Sequence, residues 1–184
     1  MTARRVGGGV ALIAVCALAG CVTDSVETTS GRPLPPPPKS VDPAPATSPI
    51  NAISVLKAQR PVDTTGNGFP NRLDVAVYLF SRPYPVPRYV DGSLVFTYYP
   101  VGSFDAVAGA STPPLATWTF DGDMLAAAAV DDVIGPGYAL ALDLGAVGKS
   151  RLDVESADLV VEFVPRAGEP VRATSIQRIP FVTY

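Results

Sequence analysis

The 184-residue chain predicts an all-β fold: an antiparallel β-sandwich of about seven strands with one short helix, preceded by a signal peptide and a disordered Pro-rich linker. Three observations predict it. Between residues 51 and 184, short alternating or apolar runs are separated by Gly, Pro and Asp, which is the punctuation of antiparallel sheets rather than of βαβ units. A single segment, 124–133, has the composition of a helix. The two cysteines, Cys16 and Cys21, both precede this stretch, so no disulfide holds it and an apolar core has to. The 134 residues from 51 to 184 suit one domain.

Taken in order, the chain opens with Arg4 and Arg5, followed by an apolar run from Val6 to Ala17. That is the layout of a secretory signal peptide. About 20 apolar residues are needed to span a bilayer, so this run is too short for a transmembrane helix, and Gly7-Gly8-Gly9 weakens it further. It ends in Leu18-Ala19-Gly20-Cys21. This tetrapeptide resembles the lipobox of bacterial lipoprotein precursors: Leu, a small residue, Gly or Ala, then Cys. The resemblance covers residues 1–21 and implies removal of residues 1–20, a thioether-linked diacylglycerol on Cys21 and acylation, such as by palmitate, of the new N-terminus. Two or more chains anchor stably where one does not. It also implies a cell-envelope location, and Val22 after the Cys, where Asp would mark retention at the inner membrane, points to the outer membrane.

Residues 21–50 read as a tether. From Val22 to Pro49 there are eight prolines, four of them in the run Pro35-Pro36-Pro37-Pro38, and almost no large apolar residue. Such a stretch cannot bury a core, and as polyproline II it would reach at most roughly 80–90 Å.

In the domain proper, expected at 51–184, seven runs read as strands: 53–59, 73–80, 94–99, 117–120, 138–144, 159–164 and 171–179. Leu73, Val75, Val77 and Leu79 alternate with Asp74, Ala76, Tyr78 and Phe80, and two apolar faces mark a central strand. The first and last runs read as outer strands. Asp91-Gly92 signals a two-residue hairpin, and Pro83, Pro85 and Pro87 confine their segment to a loop or a sheet edge. Asp123 is the expected N-cap of the helix over 124–133, with Leu125, Ala129 and Val133 along its packing side and Gly135-Pro136-Gly137 as its stop. Trp118 and the strand Tyr and Phe residues should supply much of the buried area.

Several chemistries are excluded. The chain has no His, and the domain has no Cys, so Ser-His-Asp, Cys-His and the usual zinc sites are ruled out. The carboxylate pairs Asp121/Asp123, Asp131/Asp132 and Asp153/Glu155 sit beside turns and read as solvated charge. Lys149-Ser150 are adjacent in a Gly-bounded loop rather than facing each other. No enzyme activity is expected. Removing Arg4 and Arg5 with the leader leaves 12 basic against 17 acidic residues, a formal −5, and no basic run for nucleic acid.

Two candidate sites remain. In the stretch 63–74, Asp63, Thr65, Asn67, Asn71 and Asp74 fall at positions one, three, five, nine and twelve with Gly68 at six, a spacing that resembles calcium loops. The match is partial, with Thr at three and Asp at twelve, and the same residues also suit a turn in which Asp and Asn bond their own backbone. Tyr84, Tyr89, Tyr98 and Tyr99 form an aromatic cluster fit either for ligand stacking or for packing in a half-buried strand. The expectation is a membrane-anchored envelope lipoprotein presenting a non-catalytic sandwich, with a structural or protein-interaction role. The alternative is a calcium-assisted or glycan-binding module. The expected partners are the membrane, through Cys21, and another envelope protein or a glycan, with no obligatory cofactor.

Overall fold

The computed structural model describes residues 41–181 and Pro36. The strands are β1 (Ala52–Lys57), β2 (Arg72–Phe80), β3 (Gly92–Pro100), β4 (Phe104–Asp105), β5 (Gly109–Ala110) and β6 (Ala116–Asp121). After helix α1 (Gly122–Ala127) come β7 (Ala129–Asp131), β8 (Pro136–Asp143), a 3-10 turn (Leu144–Val147), β9 (Ser156–Pro165), β10 (Val171–Arg172) and β11 (Gln177–Pro180). One antiparallel sheet has the order β1-β2-β8-β7, the other β10-β9-β3-β6 with β11 also on β9, and β4 and β5 form a small ribbon. Six of the seven runs read from the sequence fall mainly within one strand each, the seventh, 171–179, is split between β10 and β11, and β2 takes the central position that its two apolar faces predict.

The alternation of each strand supplies the core. Leu73, Val75 and Val77 of β2 lie opposite Leu142, Leu140 and Tyr138 of β8. In the second sheet, Leu94, Phe96 and Tyr98 of β3 are flanked by Phe120, Trp118 and Ala116 on one side and by Phe163, Val161 and Leu159 on the other. Both sets join one cluster. Phe96 is wholly buried, and truncating such a residue costs about 3–5 kcal/mol. Two side chains tie the sheets together at opposite edges: Trp118 Nε1 donates to the Asp143 carbonyl at 2.8 Å, and Gln177 Nε2 donates to the Val55 carbonyl at 2.9 Å.

Four expectations are corrected. The helix covers six residues, not 124–133; its N-cap is Asp121, whose side chain makes no capping bond, and the stretch from Ala129 pairs with β8 instead. From Ala129 on, ladder bonds along β8 win over the helix propensity of alanine, worth under about 1 kcal/mol per residue. Leu125 is buried as expected, but Ala129 and Val133 are exposed. Asp91-Gly92 makes no hairpin, because β2 and β3 belong to different sheets. Gly92 is required for close approach: a Cβ there would lie 2.5 Å from the Val164 carbonyl oxygen and 2.7 Å from the Phe163 ring.

The outer strand over 171–179 is interrupted. Val171 and Arg172 pair with Phe163 and Glu162, and the Ala173 N–H continues that register onto Val161. Gln177 resumes opposite Leu159, so residues 174–176 stand opposite Val160 alone and bulge out. Residues 45–50, assigned above to the tether, belong to the domain. Ile50 is buried in the core, the Asn51 N–H donates to the Phe80 carbonyl, and the Ser48 N–H closes a turn on Pro45.

Candidate functional site

The loop over 63–74 is built by its own polar side chains. Asp63 Oδ1 accepts from the Thr65 N–H at 2.9 Å, from Thr65 Oγ1 at 3.0 Å and from the Gly66 N–H at 2.8 Å, while Oδ2 accepts from the Gly68 N–H at 2.7 Å. Gly66 and Gly68 take φ of 74° and 84°, which is what lets consecutive N–H groups turn toward one carboxylate. Partial desolvation acts to raise the Asp63 pKa, but the bonds from Gly68, Thr65 and Gly66 together outweigh it and hold the carboxyl below its ordinary value. Asn67 Oδ1 accepts from the Phe69 N–H, and Asn71, only 4 % exposed, accepts from the Thr64 N–H at 2.8 Å. Asp74 pairs with Arg72 at 2.9 Å. Asp63, Thr65, Asn67 and Asn71 thus close the loop on itself while Asp74 lies on β2, and oxygens that a cation would need already accept from the protein. Among the described residues no three His, Cys, Asp or Glu side chains are grouped to hold a metal.

The four tyrosines do not converge. Tyr98 lies in the core at 1 % exposure, edge-on to Trp118 and Phe181, and its hydroxyl has no partner. Burial drives its pKa far above the ordinary phenol value. Tyr99 is half-buried and stacks on Phe104 of the β4–β5 ribbon at 5.0 Å, and Tyr84 sits half-buried in the Pro-rich crossover. Only Tyr89 reaches an open cavity.

That cavity is a cleft of about 920 Å³ at the end of the sandwich where β2 finishes and β3 begins. Tyr89, Asp91, Ser93, Leu125, Tyr138 and Arg166 are among its walls. The Tyr89 ring stands edge-to-face on Tyr138 with centroids 5.5 Å apart, and its hydroxyl donates to the Val130 carbonyl at 2.8 Å. Burial first, then the charge of Asp131, push the Tyr89 pKa up. The Val90 N–H donates to the Tyr138 hydroxyl at 3.3 Å.

Arg88 closes one wall. Its Nη1 donates to the carbonyls of Pro45 at 3.0 Å and Ala46 at 2.9 Å, and its Nη2 to that of Ser48, so a single guanidinium pins the incoming chain beside the cleft. The Arg88 Nε–H is buried without a partner. Of this set the sequence singles out Tyr89 alone. Tyr138 reads simply as a strand residue, and Arg88 and Arg166 carry no local signal, because the cleft is assembled from segments far apart in the chain.

The carboxylate pairs do not form a site. Asp121, Asp123, Asp131, Asp132, Asp153 and Glu155 are all exposed, as are Lys149 and Ser150. Asp132 is bonded to Tyr78 and Asp153 to Arg151. Cys21 lies outside the described residues. No protein family, no curated protein and no solved structure matches the chain.

Proposed function

We propose that the chain is a lipid-anchored lipoprotein of the bacterial cell envelope that presents a non-catalytic β-sandwich to another envelope component. One observation carries this reading: Leu18-Ala19-Gly20-Cys21 at the end of a basic and then apolar leader, followed by the Pro-rich stretch that separates Cys21 from the first core residue, Ile50. Acylated Cys21 holds the chain on the membrane, and the outer membrane is favoured by Val22. The sandwich then acts by contact rather than by chemistry. Labelled palmitate fed to cells making the chain should enter it, and Cys21→Ser should abolish incorporation and release or misprocess the protein. Equal labelling of the Cys21→Ser chain would refute the anchor.

A second reading is favoured by the cleft beside Tyr89. Here the partner is a glycan, and the domain is a binding module of the envelope.

A further inference from the structure

We propose that the cleft between Tyr89 and Arg166 is a glycan site in which the Tyr89 ring is the stacking platform for an uncharged sugar. This rests on the second reading above and adds its residues and ligand class. At about 920 Å³ the cleft falls within the roughly 300–1,000 Å³ typical of small-molecule sites. Tyr89 is 41 % exposed, yet its position is fixed from two sides, by Tyr138 behind the ring and by the Val130 carbonyl at its hydroxyl. A ring that is both partly exposed and held in place loses little entropy on binding.

The polar groups of the cleft match hydroxyls. The Asp91 carboxylate, the Arg166 guanidinium and the Ser93 hydroxyl make no hydrogen bond or ion pair with other described residues, and all three line the cleft. They offer an acceptor, a set of donors and a group that does both, which is what an array of sugar hydroxyls requires. The Nη groups of Arg88 are spent on the 45–48 carbonyls, so the charged side chains left to bond a ligand are one acid, Asp91, and one base, Arg166. A polyol can bond both, whereas an ion that pairs with one opposes the other. An extended peptide gains no ladder from β3, because Gly92 and Ser93 already pair with Pro165 and Val164. Leu125 and Tyr138, both buried, form the apolar floor beneath these groups.

The test is titration of the full chain, purified in detergent, with a fluorescent tetramer of β-1,4-linked N-acetylglucosamine. Saturable binding is expected, weakened about tenfold by Tyr89→Leu, which keeps bulk against Tyr138. Asp91→Asn and Arg166→Ala should each weaken it by roughly tenfold. Both positions are exposed and unpaired, so these variants fold even where Tyr89→Leu does not. Absence of saturable binding, or equal binding by Asp91→Asn, Arg166→Ala and the parent chain, would overturn the proposal. So would saturable binding of an extended peptide at these residues in place of the sugar. Because acylation of Cys21 is measured separately, loss of the anchor reading would leave this result standing, and the converse holds.

Discussion

Asp158 and Gly102 lock the β4–β5 ribbon to the outer face of the second sheet: the Gly102 N–H donates to Asp158 Oδ2 at 2.8 Å, and Asp158 is almost fully buried. The other carboxylate oxygen takes Arg178 Nε of β11 at 3.2 Å. One side chain near the start of β9 therefore joins the ribbon to the interrupted edge strand. On the same face Arg172 lies over the Phe104 ring at 5.0 Å and donates to the Ala106 carbonyl at 3.3 Å.

Asp158→Ala should destabilise the chain by about 1–3 kcal/mol, because it strands the Gly102 donor and removes two bonds at once. Arg178 is largely exposed, and Arg178→Ala should cost under about 1 kcal/mol. Urea unfolding followed by Trp118 fluorescence reads both. Equal costs would mean that the ion pair, and not the ribbon contact, dominates.

Tyr98→Phe should leave stability unchanged or raise it by roughly 1 kcal/mol, since the buried hydroxyl has no partner to lose. Tyr98→Ala removes the ring between Trp118 and Phe181 and should cost about 3–5 kcal/mol. A melting temperature lowered by Tyr98→Phe would reveal a bond to that hydroxyl.

Tyr78 and Asp132 share a 2.5 Å hydrogen bond that shapes stability at both ends of the pH scale. The bond to Asp132 first, then burial, then the Asp132 charge push the Tyr78 pKa from 10.0 up to about 12. Protonated Tyr78 therefore contributes stability fully below pH 10, and this is lost as pH rises toward about 12. The Tyr78 hydroxyl, then the Ile134 N–H, hold the Asp132 carboxyl below its ordinary 3.8, with burial opposing and Gly135 adding to them. That contribution is present above pH 3.8 and is lost as pH falls through the lowered value. Asp132→Asn should flatten the acid limb of a stability–pH profile, and in a tyrosinate absorbance titration it should bring one late-titrating tyrosine closer to the ordinary value. A profile identical to the parent's would refute the coupling.

The 63–74 loop should behave as a turn rather than a calcium site. Millimolar calcium is expected to leave the melting temperature unchanged, whereas Asp63→Ala lowers it equally with and without calcium, through loss of the bonds to Thr65, Gly66 and Gly68. A calcium-dependent rise abolished by Asp63→Ala would contradict this.

Most of the sandwich was legible because period-two alternation places a residue on a face whatever its strand pairs with. Leu73, Val75 and Val77 point inward for that reason alone. What the pattern does not encode is pairing across the chain. Asp91-Gly92 carries a hairpin signal, yet Gly92 is there for the close approach of Val164 and Phe163. The alanines after Asp123 favour a helix, yet β8 claims Ala129 to Asp131. The cleft was illegible for the same reason: only folding brings Tyr89, Leu125, Tyr138 and Arg166 together. Tyr98 and Tyr99 differ only by the alternation of β3, one facing the core and the other the ribbon.

The anchor is tested most directly by the intact mass and N-terminal peptide of the protein recovered from the membrane fraction. The chain is expected to begin at Cys21 and to carry the added mass of a diacylglyceryl group with a further acyl chain. A chain recovered in the soluble fraction with an unmodified Cys21, or one cleaved elsewhere, would contradict it.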